Sequence, residues 1–207
     1  MAGLAHGWAI GELHRGFGEL FLGLALPAVD AVPAIDFATG TPDATANPDG
    51  FSVGYTNEGW TFATSPTFDE IRVDEEEDAV SDFITANEAT ISGAMRQVRN
   101  LERLSALLPG SSYNAPAGSP TQIEKVTGGG LQTFSYYVAM LIWPDDDDPA
   151  VFWAVVLYRC LNRGGLEFSI SRTNDSAATV TLTGRAVSGR TAGDRTYAIV
   201  RYEDVTP

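Results

Sequence analysis

Along several stretches of the chain apolar and polar residues alternate with period two, and once the period changes to that of a helix. From Phe68 to Asp74, Ile71 and Val73 share one side while Glu70, Arg72 and Asp74 share the other. Thr85 to Met95 repeats the device, with Ala89, Ile91 and Met95 opposed to Glu88, Thr90 and Ser92. Leu166 to Arg172 sets Leu166, Phe168 and Ile170 against Glu167, Ser169 and Ser171. Thr179 to Val187 sets Val180 and Leu182 against Thr179, Thr181, Thr183 and Arg185. Such alternation predicts strands with one buried and one wet face. Phe51 to Tyr55, Trp60 to Ala63 and Ala198 to Tyr202 give shorter signals of the same kind.

Two further segments, Phe134 to Trp143 and Val151 to Cys160, are almost continuously aromatic or aliphatic and flank Pro144-Asp145-Asp146-Asp147-Asp148-Pro149. They predict a hairpin with an acidic tip. Its faces are both covered, one by the core and one by the helix or a neighbouring subunit. From Arg96 to Leu108 the period lengthens. Val98, Leu101, Leu104, Ala106, Leu107 and Leu108 form a stripe that predicts one helix over about 96–108, stopped by Pro109-Gly110. Residues 110–130 read as a long loop, a length that suits a partner surface. Residues 1–50, rich in Gly, Ala and Pro, read as an extended N-terminal arm with a short strand around Glu19 to Leu24, and 51–207 as a single domain. The expected class is mainly β, with seven or more strands, one flanking helix and a sandwich or barrel-like sheet arrangement.

Composition narrows the functions. With 207 residues and 44% hydrophobic content the chain can bury a substantial core. Its net charge of −14 argues against binding nucleic acid by phosphate neutralisation, which requires clustered Lys and Arg. Cys160 is the only cysteine, so no internal disulfide forms and assembly in a reducing cytoplasm is expected. The apolar patch Phe21 to Leu26 falls far short of a membrane span and follows Glu12 and Glu19, so no membrane insertion or targeting is expected.

Catalytic chemistry finds little to work with. His6 and His14 lie in the N-terminal arm, where neither imidazole is held as a base must be, and Cys160 ends an apolar strand as a small hydrophobe. Asp74-Glu75-Glu76-Glu77-Asp78 and Asp145 to Asp148 offer hard oxygen ligands for Ca²⁺ but lack the alternating spacing and central glycine of a calcium loop, so they read as solvated loops. Gly128-Gly129-Gly130 has no phosphate-loop context and reads as a turn. The expectation is a non-enzymatic protein without cofactor or metal. Trp8, Trp60, Trp143 and Trp153 suit stacking on sugar rings, which keeps open a glycan- or protein-binding module on a virion or cell surface.

The polar strand positions Glu70, Arg72, Asp74, Glu88, Thr90, Ser92, Glu167, Ser169, Ser171, Thr179, Thr181 and Thr183 describe a sheet face of small hydroxyls and scattered, mainly acidic charge. An ordinary solvent-facing sheet accounts for them, and so does the wall of a channel.

The order GYTNEGWTF, then EIRVDEEEDAVSDFITANEATISGAM, then the helix, resembles the major tail tube proteins of long-tailed bacteriophages, which are related to the tube protein of type VI secretion. LNRGGLEFSISRTNDSAATVTLTGRAV resembles the family's closing pair of strands and GFGELFLG its opening strand. The resemblance implies a β-sandwich with a flanking helix that assembles into hexameric rings stacked as a tube in the virion tail. It implies assembly in the host bacterial cytoplasm, with tape-measure and tail-tip proteins as partners and DNA in transient, non-specific passage. It also implies that Glu70, Asp74, Glu88, Thr90, Ser92, Glu167, Ser169, Ser171, Thr181 and Thr183 line the channel. The loop Glu75 to Thr85, with Glu75, Glu76, Glu77 and Asp78 and the apolar Phe83 and Ile84, corresponds to the family's arm toward the next ring.

Overall fold

The computed structural model describes residues 18–54, 56–71, 81–95, 100–114, 123–129, 135–148, 150–168 and 177–204. In chain order its strands begin with β1 (Glu19–Leu24), β2 (Ile35–Asp36), β3 (Thr41–Pro42), β4 (Phe51–Ser52), β5 (Thr56–Ile71) and β6 (Ser81–Met95). The one helix among the described residues, α1 (Leu101–Leu107), follows, then β7 (Ser111–Asn114) and β8 (Lys125–Gly128). The chain continues through β9 (Tyr137–Pro144), β10 (Val151–Asn162), β11 (Glu167–Phe168), β12 (Ala178–Gly184) and β13 (Tyr197–Glu203). The protein is mainly β, as its alternation predicts.

One antiparallel sheet of nine strands runs in the order β4-β1-β9-β10-β12-β6-β5, with β13 also on β10 and β11 on β12. Its path depends on the long strand β10. Phe152 to Leu157 pair with β9 on one side and β13 on the other, whereas Cys160 to Asn162 give that second side to β12. A register shift between Leu157 and Cys160 makes this exchange possible. Strict alternation would send Leu157 and Cys160 to opposite faces; the extra residue brings both into one core, where each is fully buried. The sheet curls far enough for Phe62 on β5 to meet Tyr197 on β13 edge-on, ring centroids 5.4 Å apart.

Two apolar clusters result. The larger joins Leu20, Leu22, Leu141, Val155 and Leu157 to Ile91, Val180 and Leu182, and Leu104 and Leu107 of α1 close it. The helix starts where Asn100 accepts a hydrogen bond from the Arg103 amide at 3.0 Å. That is the arrangement of an N-cap and places the leucine stripe inward. The second cluster covers the opposite side of β9 and β10 through Met140, Ile142, Ala154 and Val156. Its cover is Ile35, Phe37 and Tyr202 of the same chain, so no neighbouring subunit is needed there.

Several expectations are corrected. The strand at 19–24 forms as an interior strand between β4 and β9, with Leu20 and Leu22 fully buried, and residues 18–50 belong to the domain. Residues 1–17 lie outside the described residues. The segment after β1 is held from within: the buried Arg190 donates to the carbonyls of Pro27, Ala28 and Ala31 at 2.9–3.1 Å and to Asp194. Tyr202 donates to the Pro33 carbonyl at 2.7 Å. Part of the long loop 110–130 is the small hairpin of β7 and β8. Its Ser- and Gly-rich residues carry no β-branched run to announce it. Finally, β5 is one strand of 16 residues that runs straight through Pro66. Proline is tolerated because β5 is the edge of the sheet.

Candidate functional site

Two surfaces stand out, and β5 and β6 build both. Near the body of the domain they lie beside β12, with Thr61, Ser92 and Thr181 in one cross-strand row and Ala63, Thr90 and Thr183 in the next. Ser65 and Glu88 follow as a pair, and Glu167 of β11 continues the same side opposite Thr179. Ile91, Val180 and Leu182 occupy the other side, in the larger core. The predicted positions Glu88, Thr90, Ser92, Glu167 and Thr181 therefore do share one face. It is rich in hydroxyls, because threonine and serine satisfy both strand propensity and an aqueous environment.

Two of the expected lining residues are not part of its exposed surface. Thr183 shares the face through its pairing with Thr90 but is only 4% exposed, so it is covered there. Glu70 lies on the opposite side of β5. Even-numbered positions of that strand share the side of Phe62, which packs against the core, while Ser65, opposite Glu88, is odd. Both carboxylates follow the alternation of their own strands, but an extra residue in β6 near Thr85 shifts the pairing between Thr67 and Phe68. Asp74, Ser169 and Ser171 lie outside the described residues, as do Arg72 and Glu75, Glu76, Glu77 and Asp78.

The face is also less acidic than its sequence suggests. Arg163, which the sequence does not mark, follows β10, and its amide donates to the Thr181 carbonyl. Its guanidinium stands 3.8 Å from the Glu88 carboxylate, both side chains about half exposed. Such an exposed pair contributes little to stability, on the order of 0–1 kcal/mol. It does neutralise the carboxylate nearest the middle of the face. No periodic signal could have found this pair, since it joins residues brought together only by the transfer of β10 to β12.

Beyond this region the β5–β6 hairpin continues with no other described strand beside it. The described side chains from Ala63 to Glu70 and from Ser81 to Glu88 are all exposed, those of both sides of the ribbon included. At about 3.3 Å per residue this outer part reaches on the order of 25 Å. Residues Ser81 to Thr85, expected as loop, are strand; Phe83 pairs with Asp69 in the ladder and Ile84 with Phe68. Phe68 and Ile84 are 58% and 59% exposed. A directly opposed apolar pair open to solvent, flanked by Asp69, Glu70 and Asp82, is the arm's chief feature. Phe68 escapes a sequence reading because its partner is set by the register shift.

The remaining candidates have structural settings. Burial pushes the Cys160 thiol up to about 12, as expected of an inert core cysteine. Trp60 packs against the larger core, where its ring would touch any side chain at Gly93, and Trp143 packs on the same core opposite Trp153. The Trp153 indole donates to Asp145 at 2.8 Å, while Asp145 and Asp148 also accept from the amides of Asp147 and Ala150. The acidic tip thus organises its own turn. Among the described residues no three His, Cys, Asp or Glu side chains converge on a metal position. No described helix is long and apolar enough to cross a membrane. No family profile and no curated protein matches the chain.

Proposed function

We propose that this chain is a structural subunit that polymerises, as stacked hexameric rings, into the tail tube of a long-tailed bacteriophage. The observation that carries the reading is the unsupported β5–β6 arm with its exposed Phe68–Ile84 pair. A ribbon with no cover on either face is costly in an isolated chain and becomes stable when another molecule covers it. The long outer edge of β5 supports the same reading, because an uncapped edge strand is a template for pairing and ring closure covers it.

In this reading the hydroxyl face of β12, β6 and β5 forms the lumen. DNA sticks to proteins chiefly through displaced counterions at clustered cations. Thr61, Thr90, Ser92 and Thr181 offer no charge, and Arg163 is paired with Glu88, so among the described residues the wall presents no free cluster of that kind. Glu167 repels phosphate only within about 8–10 Å at physiological salt. The conduit works by near-neutrality, with DNA passing transiently and without sequence preference. Tape-measure and tail-tip proteins are the further partners, the virion tail is the final location and the host cytoplasm is the place of assembly.

Sedimentation velocity across a concentration series tests the reading. Fast-sedimenting species that grow with concentration are expected, and a single monomer boundary throughout the series contradicts polymerisation.

A further inference from the structure

The face of the larger core runs on past its buried rows toward the acidic tip of the β9–β10 hairpin. In the cross-strand row of Leu20, Leu141, Val155 and Ile199 the first three side chains are buried, whereas Ile199 on β13 is 59% exposed. The next row toward the tip sets Trp143, Trp153 and Arg201 side by side, two partly buried indoles and an exposed arginine. Strand β1 meets that row only through Gly18, one residue before the Glu19–Ile142 pair, and so offers Trp143 no side chain. A larger residue does not fit there, because a Cβ at Gly18 would stand 2.9 Å from Leu141 Cδ1. The core thus ends in three large apolar side chains at an open margin, and contiguous apolar surface of this kind marks an interaction site.

The sequence supplies an occupant at the same place. Residues 1–17 join the domain at Gly18, beside Trp143, and carry Leu4, Trp8, Ile10, Leu13 and Phe17. We infer that this segment turns back over its own domain and covers Ile199, Trp153 and Trp143, with Trp8 and Ile10 as the main contacts. Reach permits it: β1 and β13 are separated by three strand spacings, about 14 Å, and the chain from Ile10 to Gly18 spans up to about 26 Å when extended. Charge does not oppose it, because Glu12 and Arg15 are the segment's formal charges and cancel, whereas the whole chain carries −14. Arg15, three residues before Gly18, also comes within reach of the exposed Asp146, Asp147 and Asp148 at the tip. Tethering selects the chain's own segment over that of a second copy, since it sets an effective concentration on the order of millimolar. The contact lies within one chain and stands apart from polymerisation.

Intrachain cross-linking tests it on the whole chain. Protein carrying Ala9→Cys and Arg201→Cys is treated with a short bis-maleimide at two dilutions, and buried Cys160 does not compete. The control carries Ala9→Cys and Ser112→Cys; Ser112 is exposed on β7, next to Ser111, which lies by Tyr137 at the other end of β9. Peptide mapping by mass spectrometry is expected to give at least about tenfold more intrachain cross-link for the 9–201 pair than for the control, unchanged on dilution. Adding Trp8→Ser and Ile10→Ser is expected to return the yield to that of the control, while an unaltered far-ultraviolet circular dichroism spectrum shows the variant folded. Equal yields from the two pairs overturn the docking. Cross-links found only between chains and lost on dilution overturn it as well, because the surface then takes the segment of a neighbour.

Discussion

Arg190 shows how one side chain ties sequence-distant parts of the domain together. It is buried, its guanidinium lies over the Tyr158 ring, and it serves three carbonyls after β1 as well as Asp194. Removing it takes the donor from these part-buried acceptors and leaves the Asp194 carboxylate without its cation, so Arg190→Met is expected to cost about 3 kcal/mol in urea unfolding. Arg190→Lys rescues only part of this, because an ammonium cannot reproduce the planar fork. Burial alone would raise the Asp194 carboxyl, but hydrogen bonds from Tyr158 and Arg190, with the Arg190 charge, hold it below its ordinary value. A lowered carboxyl contributes stability that is complete above the unfolded-state value and is lost as pH falls through the lowered one. Asp194→Asn is therefore expected to flatten the loss of stability on acidification, which thermal melts from neutral pH downward would reveal. At Gly23 the constraint is the backbone. Its φ is +76°, and an added Cβ would stand 2.6 Å from the Asp49 carbonyl oxygen. Gly23→Ala is expected to cost about 1–3 kcal/mol by the same urea measurement.

At the level of elements, the arm separates folding from assembly. No described residue of its outer part joins either core cluster, so replacing residues 67–86 by a two-residue Asn-Gly turn is expected to leave the thermal midpoint within a few degrees of the parent. Loss of the folded domain in that variant would show that the arm is structural. Elements whose faces differ were legible in the sequence. Ala89, Ile91 and Met95 are buried as their spacing predicts, the apolar runs became β9 and β10, and Leu104 and Leu107 became the buried side of α1. What the sequence hid depends on contacts between distant residues. The shifts between Leu157 and Cys160 and near Thr85 decide which residues share a face, and no glycine or proline marks either place in the sequence. Thr183 looks solvent-facing by period, yet its place between β10 and β6 buries it. The same shift near Thr85 paired Phe68 with Ile84, so the apolar centre of the arm became visible only in the ladder.

For the whole molecule, the account joins a well-buried domain to two surfaces that suit a polymer: an arm exposed along its described residues and a long edge strand. With a net charge of −14, subunits repel at low ionic strength, so assembly is expected to strengthen as salt rises from low to physiological values. Pelleting across a salt series measures this directly. The central claim is that the arm drives formation of a hollow polymer, and negative-stain electron microscopy of the parent protein beside the variant lacking residues 67–86 tests it most directly. Six-fold rings and hollow filaments from the parent, with only isolated particles from the variant, are the predicted result; filaments of equal length from both, or solid aggregates without a lumen, would contradict it.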